Sequence, residues 1–237
     1  MNESCTILAL EGSAAVSSAA PRAADGSTAA AAWREPRRGN TMLSQIEALM
    51  REARRDIAEL SAISVGLGPG NYSGLRVSFT IAQALALPHA IPVYGYSSAA
   101  VILEQFINDG FKGDKVAVFG DARRDRSWVV TYRRDNHRQQ WQPEKELTLV
   151  PDGNLPEIIG NSTPAIAPDW EQRSAESAKA LSAILPGIVR RSIIPEAKTL
   201  TEMTYRDIAA GTTPPAGKPL YMHPAVFVAP KFAPQRN

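Results

Sequence analysis

The apolar positions of this chain change period as it proceeds. Thr6 to Leu10 form a short apolar run closed by Glu11-Gly12-Ser13, the pattern of a buried first strand ending in a turn. Ala14 to Ala20 and Ala29 to Trp33 read as two further strands joined at Asp25-Gly26, or, because alanine favours helix over strand, as a stretch of low complexity. From Thr41 to Leu60, Met42, Ile46, Leu49, Met50, Ala53, Ile57 and Leu60 recur at helical spacing with charges between them, which predicts one amphipathic helix. Ser61 to Val65 is then a short strand, followed by the corner GLGPGNYSG and a helix from Gly74 to Leu87 that Asn71 or Ser73 can cap.

That second helix is apolar on two sides. At helical spacing Leu75, Phe79, Ala82 and Ala86 share one face, Val77, Ile81 and Ala84 fall nearly opposite, and Arg76, Thr80 and Gln83 form a narrow polar strip. Two apolar faces need two neighbours, either further elements of the same chain or a separate protein. Pro92 to Tyr94 is another strand, and Ser97-Ser98 caps a helix to about Asn108. Strand and helix alternate up to this point, which implies an α/β layer around a parallel or mixed sheet. The polar break FKGDK marks a boundary between residues 1–110 and 111–237. Beyond it, Lys115 to Gly120 and Ser127 to Arg133 are strands flanking the turn DARRDR. Strands near Leu147 and Ile166 and helices over Ser174 to Leu185 and Ala197 to Ala210 complete the pattern.

With 237 residues, 44% apolar and 21% charged, the chain can build one large or two small cores, and its composition is not that of a disordered protein. A net charge of +2 gives no strong field, and the arginine clusters (Arg37/Arg38, Arg51/Arg54/Arg55, Arg123/Arg124/Arg126, Arg133/Arg134/Arg138) are interspersed with acids, so they read as solvated surface before they read as a nucleic-acid footprint. Cys5 is the only cysteine and heads an apolar run, which predicts packing and no intrachain disulfide. The residues MNESCTILALEGS lack the basic segment of a secretory signal, and no apolar run approaches the ~20 residues of a membrane span. A cytoplasmic protein is expected.

Direct signatures of catalysis are sparse. The glycine-rich corner lacks the Lys-Ser/Thr of a P-loop, since Leu75-Arg76 follow Gly74, and Gly66, Gly68, Gly70 and Gly74 miss the dinucleotide spacing. Arg76 at a helix start could still meet a phosphate; a purely structural corner is the plainer reading. His89, His137 and His223 form no metal-ligand pair, and no nucleophile elbow is present, so neither a metal nor a catalytic residue is expected. Glu11 and Asp121 each follow an apolar strand, where acids and bases of α/β proteins often lie and where turn-forming carboxylates are also common.

The stretches ILALEGS, GLGPGNYSGLRVSFTIAQALAL, IPVYGYSS and VFGDARRDRSWVVTY, in order over residues 6 to about 132, with a fainter echo in PLYMHPAVFV, resemble the bacterial YeaZ/TsaB family. The resemblance implies an actin/Hsp70/sugar-kinase-like (ASKHA) α/β fold with two ribonuclease-H-like lobes, mixed sheets flanked by helices, and a last segment packing back on the first lobe. It implies a non-catalytic subunit of the machinery that makes threonylcarbamoyladenosine in transfer RNA. Such a subunit would stabilise the catalytic TsaD partner, be joined by the ATPase TsaE, form a homodimer when alone, hold no cofactor of its own, and touch tRNA only indirectly. The partner surface would be carried by Met42, Ile46, Leu49, Met50 and Ala53 on the first helix and Val77, Ile81 and Ala84 on the second.

Two departures from the family pattern stand out. The first strand ends in Glu11-Gly12 in place of Asp-Thr or Asp-Ser, and Asn40 stands where many relatives have histidine before the first helix. Both weaken independent nucleotide hydrolysis and leave Glu11, Gly12, Ser13, Gly68, Gly70, Arg76 and Asp121 as a vestigial phosphate loop. Nothing here supplies the protease chemistry of the family's old glycoprotease label. The alternative is an ASKHA-fold kinase or ATPase using Glu11 and Asp121 around magnesium, and a third reading is an RNA-binding module built on the arginine clusters.

Overall fold

A computed structural model describes residues 5–34, 41–135, 140–212 and 217–222. The first half forms a five-stranded sheet from β1 (Ile7–Glu11), β2 (Ser17–Arg22), β3 (Ala31–Trp33), β4 (Ala62–Gly66) and β5 (Val93–Tyr96), in the order β3-β2-β1-β4-β5. β1, β4 and β5 are parallel, and β2 and β3 are antiparallel additions on the other side of β1. The second sheet repeats this plan. It contains β6 (Lys115–Asp121), β7 (Arg126–Asp135), β8 (Gln140–Pro143), β9 (Thr148–Pro151), β10 (Ala165–Ala167) and β11 (Ile188–Ser192), in the order β11-β10-β6-β7-β8 with β9 also on β7. Its central β6 is parallel to β10 and antiparallel to β7.

The alanine-rich segment is strand. β2 is buried along its whole length because α1 (Met42–Glu52) and α6 (Ala197–Ala209) both pack on it, and Ser17-Ser18-Ala19-Ala20 are small enough to admit a helix on each face. β2 starts at Ser17 and β3 at Ala31, later than the composition suggested, and Asp25 and Gly26 lie in the turn between them. Pro21 is tolerated inside the sheet because β3 pairs only with Ser17 to Ala19 and ends before reaching it.

The first helix is shorter than its periodicity predicted. α1 ends at Glu52; Arg54 takes a left-handed conformation (φ 52°) and turns the chain, and a separate 3-10 turn runs over Ile57–Glu59. Asp56 caps that turn, accepting the Ala58 N–H while Glu59 accepts the N–H of Asp56. The polar run from Arg51 to Asp56 interrupts the apolar stripe there. α2 (Tyr72–Ala86) begins two residues earlier than expected, at the Asn71 cap. α3 (Ser98–Asn108), α4 (Leu155–Ile159) and α5 (Ala175–Ile184) complete the helices, and β8, β11 and α4 had no distinct signal in the sequence.

α6 follows the last strand of the second sheet and packs on β1, β2 and β4 of the first. Ala197 and Leu200 join Ala9, Ala20 and Val101 in one apolar cluster. Polar ties fix its register: the Ala197 N–H donates to Ser18 Oγ (2.9 Å), Thr204 Oγ1 to Ser64 Oγ (2.9 Å) and Tyr96 Oη to Asp207 Oδ2 (2.7 Å). Burial and the Asp207 carboxylate hold the Tyr96 phenol far above its ordinary range, so it stays a donor at every physiological pH. Replacing Tyr96 with Phe removes this charge-assisted bond and should lower stability by about 1.5–3 kcal/mol, measured as the shift in urea midpoint at unchanged slope.

Candidate functional site

The turn after β1 and the start of α2 are pressed together. A Cβ built on Gly74 would lie 2.0 Å from the Gly12 carbonyl oxygen, and one on Gly12 would lie 2.7 Å from that of Gly74. Both positions therefore require glycine for close approach, and the glycine-rich corner GLGPGNYSG is the piece that reaches in. The Asn71 N–H donates to the Ser13 carbonyl at 2.6 Å, and Asn71 Oδ1 accepts the Ser73 N–H at 3.2 Å.

Beneath this contact the Glu11 side chain is fully buried. Its Oε1 accepts the Ser13 N–H at 2.7 Å, and its Oε2 accepts the Ser98 hydroxyl at 3.0 Å. Ser98 Oγ in turn accepts the Gly68 N–H at 3.1 Å, and the Ser98 N–H donates to the Gly68 carbonyl at 2.7 Å. One carboxylate thus ties β1, the glycine corner and the first turn of α3. Burial pushes the Glu11 pKa up, against the opposing effect of these hydrogen bonds. Gly66 makes room for it, since a Cβ there would sit 1.9 Å from Glu11 Oε2.

Of the expected phosphate loop, the structure brings Glu11, Gly12, Ser13, Gly68 and Gly70 together and leaves Arg76 and Asp121 outside. The amides of Ser13, Gly68, Asn71 and Ser73 are already bonded within the chain, so an anion would have to displace an existing partner at each. Arg76 is turned outward against Tyr72. Asp121 closes β6 in the other sheet, is exposed, and has its Oδ1 occupied by the Arg123 N–H at 2.7 Å. Its own N–H donates to Asp169, whose carboxyl is raised by burial against the lowering effect of Arg173. Among the described residues no group of three or more His, Cys, Asp or Glu could hold a metal ion. Cys5 is buried, and burial raises its thiol pKa. His137, His223 and Asn40 lie outside the described residues.

The partner surface needs correction on α1. Met42, Ile46, Leu49 and Met50 are all buried in the core of the first sheet. Extracting such side chains costs ~1.5–3 kcal/mol each, so one stripe cannot serve both a core and a partner. Ala53 is half-buried at the helix end. On α2, Val77 and Ile81 are half-buried against the same core as Phe79 and Leu85, and of the expected second face only Ala84 is exposed.

The arc of α2 open to solvent is instead Tyr72, Ser73, Arg76, Thr80, Gln83 and Ala84, continued by Leu87, which is 82% exposed. At 3.6 residues per turn these positions span roughly a third of the helix circumference. Tyr72, Ser73, Arg76, Val77, Thr80 and Ile81 line an open groove of about 370 Å³ along it. Among the described residues none seals this arc of the helix. Sequence reasoning missed Tyr72, Ser73 and Leu87 here because periodicity ranks apolar faces, and this open face is mostly polar or small. It also missed Ser98, read only as a helix cap.

A filled turn after the central strand, a helix face open beside it and a second sheet of the same plan describe an α/β protein of two mixed sheets flanked by helices. A family profile described as TsaD, tRNA N6-adenosine threonylcarbamoyltransferase, matches residues 39–147. The tRNA threonylcarbamoyladenosine biosynthesis protein TsaB of Buchnera aphidicola (subsp. Schizaphis graminum) is 27% identical over 109 residues, 46% of this chain and 51% of the relative. The protein of that name from Escherichia coli K12 is 25% identical over 130 residues, 54% and 53% of the two. The chain spans about half the length of these curated relatives. In fold the likeness covers more: YeaZ from Pseudomonas aeruginosa superposes with a TM-score of 0.70 at 21% identity, over 92% of this chain and 99% of that one. In sequence the chain is similar to the TsaB proteins over about half of its length, and in fold to YeaZ over most of it.

Two predictions follow from the buried turn. Gly74→Ala forces a methyl into the Gly12 carbonyl and should destabilise by about 1–3 kcal/mol or prevent folding. Gly153→Ala, where a Cβ meets nothing within 4 Å, should stay within about 0.5 kcal/mol, both read by denaturant unfolding. For Glu11 the folded-state pKa lies above its ordinary value of 4.5, so the native state binds the extra proton. Its contribution to stability is complete below pH 4.5 and is lost as pH rises through the raised pKa. Glu11→Gln keeps an acceptor for Ser13 without that loss, so its melting temperature relative to wild type should climb between acid and neutral pH and then level off.

Proposed function

We propose that this chain is a non-catalytic subunit that docks on and stabilises a TsaD-class threonylcarbamoyl transferase in making threonylcarbamoyladenosine in transfer RNA. The observation that carries this reading is the pairing of an internally bonded glycine corner with an open α2 face. The amides that would cradle a nucleotide phosphate are bonded within the chain, while the helix they anchor keeps one side free. The TsaB name of the relatives and the TsaD profile on residues 39–147 support the same assignment.

In this reading residues 1–110 form the docking lobe and residues 111–237 the second lobe, with α6 bracing the first. Alone, the chain pairs with itself through the same face; in the complex TsaE joins, and tRNA is reached only through the partner. The protein works in the cytoplasm, and no helix among the described residues is long and apolar enough to cross a membrane. The kinase alternative lacks a favouring observation, since Glu11 is enclosed and Asp121 is bonded to its own hairpin.

Mixed with its cognate TsaD-class protein, the chain should elute from gel filtration as one heterodimer peak. Ala84→Arg, on the exposed arc, should split that peak into two without lowering the melting temperature of the isolated chain. Ile81→Asp is a poorer probe because Ile81 packs partly on the core and would perturb folding as well.

A further inference from the structure

The open face of α2 carries one charge, and the fold holds it in a fixed place. Arg76 Nη1 donates to Tyr72 Oη at 3.3 Å, and the Arg76 guanidinium carbon lies 5.4 Å from the centre of the Tyr72 ring. Tyr72 also meets Tyr221, with ring centroids 4.8 Å apart and planes at 49°. Tyr221 is itself placed by its neighbour, since the Leu220 N–H donates to the Leu67 carbonyl at 2.7 Å, next to the glycine corner. A ladder therefore runs from residues 217–222 through Tyr221 and Tyr72 to Arg76. Among the described residues no acidic side chain lies within ion-pair distance of Arg76, and the groove it lines contains no carboxylate.

Arg76, Thr80, Ala84 and Leu87 follow one another along the arc at helical steps, with the two small side chains between the charge and the leucine. That row admits another helix at close range and would take Arg76 out of water when it does. An unpaired guanidinium is strongly unfavourable in such a contact, whereas a carboxylate meets its planar fork with two parallel bonds. Preorientation by Tyr72 and Tyr221 reduces the side-chain freedom lost on pairing.

We propose that Arg76 selects the docking partner by pairing with an aspartate or glutamate on the partner's docking helix, and that Tyr221, acting through Tyr72, is its positioning residue. This rests on the docking reading above, with the TsaD-class subunit as the one occupant. A single cation without an acidic neighbour among the described residues, in a groove lined by no carboxylate, points to a protein carboxylate there.

The test is titration calorimetry of the full chain against its purified TsaD-class partner at low and high salt. Arg76→Glu should weaken binding by at least about 30-fold and remove the salt dependence that Arg76 contributes. Arg76→Lys should recover part of that loss. Tyr221→Ala should weaken binding about 3-fold, and should add nothing in an Arg76→Ala background, which a merely structural role for Tyr221 would not give. Wild-type affinity in Arg76→Glu together with lost binding in Ala84→Arg overturns this inference and leaves the docking reading standing; unchanged binding in both overturns the docking reading itself. Loss of a homodimer, or of tRNA binding, in Arg76→Glu with the heterodimer intact also overturns it.

Discussion

Everything distinctive about this molecule depends on two backbones meeting where side chains usually stand. Gly12 and Gly74 approach so closely that neither position has room for a methyl group. The contact sets the depth at which α2 enters the first sheet, and depth decides which residues of that helix are covered. With α2 seated this low, Gly74, Leu75, Ser78, Ala82 and Ala86 face inward and a continuous arc is left outside. The glycines of the corner are thus a docking device between parts of one chain.

The two lobes share a plan but use its equivalent positions differently. Glu11 and Asp121 each end the central strand of a sheet, parallel to one neighbour and antiparallel to the other. Glu11 is enclosed and crosslinks three elements. Asp121 stays at the surface and shapes a hairpin in which Arg123, Arg124 and Asp125 all adopt left-handed backbone. Each carboxylate accepts a hydrogen bond from the backbone two residues on, Glu11 from Ser13 and Asp121 from Arg123. A shared topological position fixes where a side chain starts; its solvation decides what it can do.

Much of the fold was legible in the sequence, because β1, β4, α2, α3, β6 and β7 have either an uninterrupted apolar run or a strong helical period. Strands such as β8 and β11 were not, since they are short and carry no sustained apolar alternation, β8 being held by its hairpin pairing with β7 and β11 by β10. The limit of α1 was hidden by Ile57 and Leu60, which continue the period by chance after Arg54 has turned the chain. On α2 the spacing misplaced the side that the helix leaves open to solvent. Val77 and Ile81 look like a second apolar face on a helical wheel, yet both lean toward the core, and periodicity cannot tell leaning inward from facing out.

The residue at the end of β1 joins the sequence pattern to the geometry. Glu11 is one methylene longer than an aspartate, and its length carries the carboxylate across the space that Gly66 leaves by lacking a side chain. From there it accepts both the Ser13 amide and the Ser98 hydroxyl, and Ser98 holds Gly68 on both its N–H and its carbonyl. The longer acid and the glycine opposite it are therefore one device. The acid is turned inward and braces the corner that seats α2. With both of its oxygens bonded inside the chain, this carboxylate braces the corner, and rigid placement of the helix face is what that bracing provides.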